Sequence, residues 1–298
     1  MMRDLLENKV KVSAPLVFVT GKGGVGKSLW AAGLATQLAR SGKKVLLVEF
    51  GETSFYGFFY GKSFGMDPVA IENNLHLSIW SGATCLRDYI GHLVKIDRLA
   101  DLFFENKVMK ALIRGAPALK ELAILGKATS GVRNYGPELD FDHVIFDSYA
   151  TGHFLALLRA PVGMYEAIKF GPMGDQSKAI VKTMSDPRLT EYHVVSLLEE
   201  LPVSETIELC DALKSEFNDN IKVVVNKSLR ALPTIETSSN VFESSIQRNL
   251  SRQNHAWEHL LKHYEPAVEV PYYFESEPQK LVDHMAQHSG DAIHGGPS

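Results

Sequence analysis

Short apolar runs alternate along this chain with stretches whose apolar residues recur every third or fourth position. Ala14–Thr20 (APLVFVT) is rich in β-branched residues and bounded by Pro15 and a glycine cluster, which predicts a buried strand. Ser28–Arg40 carries the helical period and stops at Ser41-Gly42, and Val45–Val48 is a second apolar run. Strand, glycine loop, helix and strand in this order make a βαβ unit. The alternation returns at Val144–Phe146, which ends in Asp147 and leads into a helical stretch from Gly152 to Arg159. It recurs at His193–Leu198 with a helix from about Ser204 to Phe217, at Ile221–Val225, and at Ala267–Val270. Such alternation implies an α/β fold with a mostly parallel sheet flanked by helices.

Between these units, Thr84–Gly131 has helical spacing throughout. Leu86, Tyr89, Ile90 and Leu93, then Leu99, Leu102 and Phe103, then Leu119, Leu122 and Ala123 recur at three and four. The stretch predicts a helical insertion (about 84–131) into a single domain covering 1–289. Residues 290–298 are small and polar and are expected to form a flexible tail.

Composition narrows the class. The 298 residues are 45% hydrophobic, with 31 Lys+Arg against 35 Asp+Glu and a net charge of −4, which excludes a disordered or fibrous chain. No overall basic field favours nucleic acid, so none is expected as a partner. The two cysteines, Cys85 and Cys210, form no CxxC pair and fit a reducing compartment. No apolar run reaches the ~18–20 residues of a membrane span. The expectation is a cytoplasmic protein with no direct membrane insertion.

The chemistry concentrates at Gly21-Lys22-Gly23-Gly24-Val25-Gly26-Lys27-Ser28, which satisfies G-x-x-x-x-G-K-[ST] between a predicted strand and a predicted helix that continues through Leu29. The glycines let backbone N–H groups converge on an anion, and the helix N-terminus adds partial positive charge. Lys27 is expected on the β/γ-phosphates of ATP, and the Ser28 hydroxyl on Mg²⁺.

With Lys22 after the first glycine, the loop resembles the deviant Walker A loop of the dimeric ATPases. These include the arsenite-pump ATPase (ArsA type), the tail-anchored-protein-targeting ATPase, the septum-site and partitioning ATPases and the nitrogenase iron protein. The resemblance implies that Lys22 crosses a dimer interface to the partner's nucleotide, acting as an arginine finger does. Phe146-Asp147-Ser148-Tyr149-Ala150-Thr151-Gly152-His153 resembles the D-T-A-P-T-G-H segment of the arsenite-pump and tail-anchored-targeting branch. By that resemblance Asp147 is the Walker-B-type carboxylate near Mg²⁺, and Thr151, Gly152 and His153 form a switch. Glu199–Thr206 (EELPVSET) resembles a P-E-x-x-P-V-x-E-T stretch of the same branch. Asn226, after Val223–Val225, matches the residue that reads the adenine edge, and Pro271, Tyr272 and Tyr273 match a loop that packs on the base. Ala116–Leu122 with Gly126-Lys127 points to single-domain bacterial relatives. The family implies an Mg-dependent, ATP-hydrolysing dimer, a homodimer or a heterodimer with a paralogous ATPase, coupled to an unknown protein client.

The first switch departs from that pattern. The family's D-P-A-H is replaced by Glu49-Phe50-Gly51-Glu52-Thr53, with Gly51 where the water-orienting Asp would stand. Glu49 is the favoured substitute and Glu52 the other. Alternatively the protein is a nucleotide-gated scaffold with little or no hydrolysis, or a partitioning-type ATPase. Sparse soft ligands argue against arsenite capture. A single methionine in 84–135 (Met109) argues against a groove for hydrophobic tails. The aromatic run Phe50, Phe55, Tyr56, Phe58, Phe59, Tyr60 and Phe64 reads either as a helix packing rings into the core or as a nucleotide-controlled contact surface. His255, His259 and His263, like His284 and His288, read as polar helix faces rather than metal ligands.

Overall fold

The computed structural model of the protein describes residues 9–94, 118–168, 172–230 and 241–289. Among these, one sheet is built from β1 (Leu16–Gly21), β2 (Val45–Phe50), β3 (Val69–Glu72), β4 (Leu75–Trp80), β5 (His143–Ala150), β6 (Thr190–Leu197), β7 (Ile221–Ser228) and β8 (Val268–Pro271). Their order is β3-β4-β2-β5-β1-β6-β7-β8, parallel throughout except that β3 runs antiparallel to β4. The central strands are buried on both faces, so they read as continuous apolar runs. After β1 the chain builds outward through β2 and β4. It then returns to insert β5 beside β1 and continues on β1's other side with β6. The strand order therefore reverses at β1, and crevices at such a reversal are where α/β sheets hold ligands.

The helices are α1 (Lys27–Arg40), α2 (Phe55–Tyr60), α3 (Gly82–Val94), α4 (Ala118–Ala128), α5 (Ser130–Arg133), α6 (Thr151–Ala167), α7 (Pro172–Met184), α8 (Glu200–Glu216), α9 (Val241–Leu261) and α10 (Pro278–Gln287). One sheet face presents Phe18, Leu46, Val48, Phe146, Tyr192 and Val194 to buried residues of α3, α4, α6, α7, α8 and α9. Phe18 and Phe146 stack across β1 and β5, with ring centroids 4.4 Å apart. The other face presents Val17, Val19, Leu47, Ile145, Val195 and Val224 to α1 and α10, with Tyr56 of α2 beside them. The α1–α10 contact is close enough that a Cβ on Gly33 would meet Met285 at 2.3 Å. Burying both faces of a long sheet provides the main hydrophobic driving force, at roughly 25 cal/mol per Å² of apolar surface.

The βαβ start and the six anticipated strands are present. The β3–β4 hairpin was not anticipated: its residues beyond Leu75 and Leu77 mix His76, Ser78 and Trp80, which masks a clean period. Two helices extend past their expected limits. Helix α6 continues through Pro161 to Ala167, and α8 begins at Glu200 with Pro202 in its first turn, where the missing N–H has no helical partner to lose. Of the predicted helical insertion, α3, α4 and α5 are described and the first two pack on the sheet core. Leu99, Leu102, Phe103 and Ala116-Pro117 lie outside the described residues, as does the 290–298 tail.

Candidate nucleotide site

The glycine loop leaves the C-terminal end of β1 and enters α1 at Lys27. Two glycines are dictated by their surroundings. Gly21 has φ +139° and a Cβ there would meet the Val195 carbonyl oxygen at 2.1 Å. Gly26 has φ +97° and a Cβ there would meet Asn226 Nδ2 at 2.3 Å. Only glycine fits either position. Lys27 Nζ donates to the Lys22 carbonyl at 3.0 Å, so the ammonium lies folded against the loop. Burial pulls its pKa down, and the nearby Asp147 carboxylate opposes that shift.

Glu49 stands near the end of β2, whereas β5 does not end at Asp147 as expected but runs on to Ala150. Glu49 and Asp147 are register partners, so both side chains point to the α1 face of the sheet. Burial pushes the Asp147 carboxyl up to about 6. Glu49 adds to the shift, while hydrogen bonds from Ser28 and Tyr56 and the Lys27 charge resist it. The Ser28 hydroxyl and the Asp147 carboxylate thus form a pair of hard oxygen donors at the start of α1. That donor chemistry suits Mg²⁺, which takes one or two protein oxygens and completes its shell with phosphate and water.

Glu49 itself is fully engaged. Its Oε2 accepts from Ser54 Oγ at 2.7 Å and its Oε1 from the Phe55 N–H at 2.7 Å. Ser54 in turn caps α2, accepting from the Gly57 N–H at 2.7 Å. The carboxylate expected to position water is therefore also the anchor of α2. The aromatic run divides between its two readings. Tyr56 is buried, and Phe59, Tyr60 and Phe64 pack around the same core, while Phe58 is 92% exposed.

Lys22 lies on the open side of the loop. Its ammonium pairs with Glu205 of α8, each side chain 34% exposed, and Thr151 Oγ1 donates to the other Glu205 oxygen at 3.3 Å. In this structure Lys22 is thus held within its own chain. Among the residues expected to form a switch, Thr151 joins this cluster, while His153 sits with its ring 6.4 Å from that of Tyr149.

Asn226, near the end of β7, is buried. Its Nδ2 donates to the Val25 carbonyl at 2.8 Å, and its Oδ1 accepts from the Lys227 N–H at 2.9 Å. The residue expected to read adenine here ties β7 to the glycine loop. Beside it a cavity of about 1260 Å³ opens between α8 and α9, lined among others by Leu198, Val203, Lys227, Arg252 and Tyr272. Of the late-loop pair, Tyr272 faces this cavity. Tyr273 stacks on His284 with centroids 4.1 Å apart and bonds His288 Nε2 at 2.7 Å. His255 and His259 also line the cavity, and no group of three or more metal-ligating side chains occurs among the described residues.

Sequence reasoning passed over three contributors. Tyr56 lies in the aromatic run and Glu205 in the EELPVSET stretch, and nothing local marks either. The third is a buried chain behind the loop. Trp30 Nε1, in the first turn of α1, donates to His193 Nδ1 at 3.0 Å, and His193 Nε2 bonds Glu191 Oε1 at 2.6 Å. Ser13 N–H and Oγ donate to Glu191 Oε2 at 2.8 and 2.6 Å. Burial raises the Glu191 carboxyl, but the bonds from His193 and Ser13 outweigh it and hold the group at about 2. The network fastens the start of α1 to β6.

A glycine loop between β1 and α1, with a lysine and a β5 aspartate beside it, defines a P-loop nucleotide-binding protein. Comparison with known proteins gives the family. The family model described as anion-transporting ATPase matches residues 14–170. The chain is 30% identical over 231 residues to ATPase BagA of Mycobacterium tuberculosis, covering 72% of this chain and 66% of that protein. It is 28% identical over 233 residues to an arsenical pump-driving ATPase of Escherichia coli, covering 72% of this chain and 40% of that one. It is also 25% identical over 252 residues to an ATPase ASNA1 homolog of Entamoeba dispar, covering 72% and 76%. The chain therefore belongs to the anion-transporting ATPase family, whose curated members here bear the name ATPase. It spans just under two thirds of the M. tuberculosis relative and less than half of the E. coli one. No described helix is long and apolar enough to cross a membrane.

Proposed function

We propose that the protein binds Mg·ATP at the Gly21–Leu29 loop and hydrolyses it as a dimer, coupling the nucleotide state to the conformation of a surface that meets a protein client. The observation that carries this reading is the convergence of Lys27, Ser28 and Asp147 at the strand-order reversal of a family ATPase fold. Lys27 leaves the Lys22 carbonyl for the phosphates, exchanging a neutral acceptor for an anionic one. Loop N–H groups from Gly21, Gly23, Gly24, Val25 and Gly26 and the start of α1 face the same charge. Ser28 and Asp147 hold the Mg²⁺, which when bound neutralises charge developing on the phosphoryl oxygens.

Lys22 is the mobile cation. Its pairing with Glu205 is half open to solvent, a kind of ion pair worth roughly 0–1 kcal/mol, so a partner subunit's nucleotide competes for it easily. This role needs a second P-loop unit facing the first, which a second chain, identical or paralogous, would supply. The base lies toward Asn226, Pro271 and Tyr272 at the mouth of the large cavity, which asks Asn226 to release Val25 as ATP binds. Tyr273, occupied by His284 and His288, supports that loop from behind. Glu49 is the first-switch carboxylate nearest Asp147 and positions the attacking water once it gives up one of its two bonds.

One observation favours a second reading, a nucleotide-gated scaffold with little turnover: Gly51 replaces the usual aspartate and both Glu49 oxygens are occupied. ATP turnover and ATP binding separate the two. Wild type, Lys22→Ala and Lys27→Ala are assayed at saturating Mg·ATP over a range of protein concentrations, with oligomeric state recorded. Turnover that rises with protein concentration and is abolished in Lys22→Ala, with ATP binding retained, supports the dimeric ATPase. Tight binding with no turnover at any concentration supports the scaffold.

A further inference from the structure

The first switch touches the nucleotide site through a residue that no sequence pattern marks. Tyr56 is fully buried. Its hydroxyl donates to the Ser28 carbonyl at 2.7 Å and lies 3.2 Å from Asp147 Oδ2. One phenolic proton thus serves two acceptors, one on the first turn of α1 and one on β5. Two aromatic neighbours pack against the ring. Tyr60 stacks beside it at 6.4 Å, and Phe55 meets it edge-on at 5.3 Å. Its backbone is fixed from the other end. Helix α2 is only six residues long, and Ser54 caps it while Glu49 grips both Ser54 and the Phe55 N–H. Glu49 is in turn the register partner of Asp147. The contacts therefore close a loop: Asp147 to Tyr56, along α2 to Ser54, to Glu49, and across the β2–β5 pair back to Asp147.

We propose that Tyr56 is a positioning residue of the ATP site, which sets the orientation of the Asp147 carboxylate against Ser28 and links it to the first switch. The proposal rests on the ATP-site reading above. A carboxylate in a buried site has several rotamers, and only some aim an oxygen at the Ser28 hydroxyl. The phenol selects among them by offering its proton to one oxygen, Oδ2, leaving the other available to Ser28. The 2.7 Å bond to the Ser28 carbonyl fixes the hydroxyl, and its longer 3.2 Å approach to Oδ2 adds the electrostatic preference for that oxygen. The same proton also holds the Ser28 backbone, so Asp147 and Ser28 are oriented together. Any movement of α2 that withdraws Tyr56 frees both at once. In this chain the first switch thus acts on the metal-binding pair through a tyrosine, in a position where the sequence supplies Gly51 and no aspartate.

Removal of the hydroxyl alone tests this. Tyr56→Phe retains the ring and its packing, and Tyr60→Phe removes a neighbouring buried hydroxyl that has no hydrogen-bond partner. ATP affinity is measured by equilibrium binding as Mg²⁺ is titrated and again in excess chelator, alongside kcat and KM. Tyr56→Phe is expected to raise the Mg²⁺ concentration needed for tight ATP binding about tenfold, consistent with loss of a bond to a charged group. It should lower kcat by a similar factor and leave ATP affinity in chelator unchanged, and Tyr60→Phe should match wild type. Ser54→Ala, which loosens α2 without touching Asp147, is expected to shift the Mg²⁺ requirement in the same direction by a smaller factor. It also serves as the reading should Tyr56→Phe fold poorly.

An unchanged Mg²⁺ requirement in Tyr56→Phe overturns the proposal. So does an equal loss of ATP affinity with and without Mg²⁺. If the wild type binds Mg·ATP but shows no turnover, hydrolysis fails while the Mg²⁺ titration still decides the role of Tyr56.

Discussion

The two sides of the glycine loop are built differently. On the α2 side, Glu49, Tyr56 and Asp147 are buried, with Tyr56 bonded to Asp147 and the Ser28 carbonyl and Glu49 to Ser54 and the Phe55 N–H. On the α8 side, Lys22, Glu205 and Thr151 meet through a half-exposed ion pair and one long hydrogen bond. A buried polar network is costly to break, because each group left unpaired keeps its full desolvation penalty. An exposed ion pair can be exchanged with little loss. The contrast suits the proposed function, in which one fixed wall would order metal and phosphate and one open wall would accept a second chain. The Glu191–His193–Trp30 chain extends the fixed wall beneath α1.

Several measurements would break or sharpen this division. The largest effect is expected on the open side. Lys22→Ala should lower ATP turnover by at least roughly 10³-fold, the range of a cation supplied in trans, while ATP affinity changes by less than about threefold. A parallel fall in affinity would mean that Lys22 serves its own chain's nucleotide and that the open wall is not an interface.

The next concerns the fixed wall and acid. The bonds from His193 and Ser13 hold the Glu191 carboxyl at about 2 in the fold, against an ordinary value of 4.5. A depressed carboxyl contributes stability that is fully present above the unfolded value and is lost as pH falls from 4.5 toward 2, about 3 kcal/mol in all. Urea unfolding of wild type and Glu191→Gln should differ by about that amount at pH 7 and converge in acid. A gap that stays constant with pH would show that the carboxylate charge is not what fastens α1 to β6.

The smallest effect returns to the open wall. Glu205→Gln should change unfolding free energy by less than about 1 kcal/mol, as for other half-exposed pairs. By releasing Lys22 it should move the protein concentration for half-maximal turnover down by about threefold, the cost of the competing in-chain contact being removed. Sedimentation with Mg·ATP checks the same shift. A loss of stability of several kcal/mol would place Glu205 in the fixed wall instead.

Much of the fold was legible because its signals are local. Buried parallel strands announce themselves as short apolar runs, and α1 by its period, at Leu16–Gly21, Val45–Phe50 and Lys27–Arg40. The loop Gly21–Ser28 is legible for a related reason, since an anion cradle needs glycines and a lysine at fixed short spacing. Segments failed where the pattern is weak or interrupted: the β3–β4 hairpin at the sheet edge, and the part of α6 beyond Pro161.

What the sequence determined by itself was therefore the alternation of elements and the glycine loop, with Lys27, Ser28 and Asp147 as the residues expected to carry its chemistry. Only the tertiary structure decided who meets whom around them. Lys22 meets Glu205 across 183 positions, Trp30 meets His193 across 163, Tyr56 meets Asp147 across 91, and Asn226 meets Val25 across 201. None of these separations carries a periodic signal. They follow from a strand order that threads β5 and β6 to either side of β1 and brings their ends to one edge of the sheet. Backbone propensity and period act over a few residues, whereas side-chain partners at a sheet edge are chosen by how the strands are ordered.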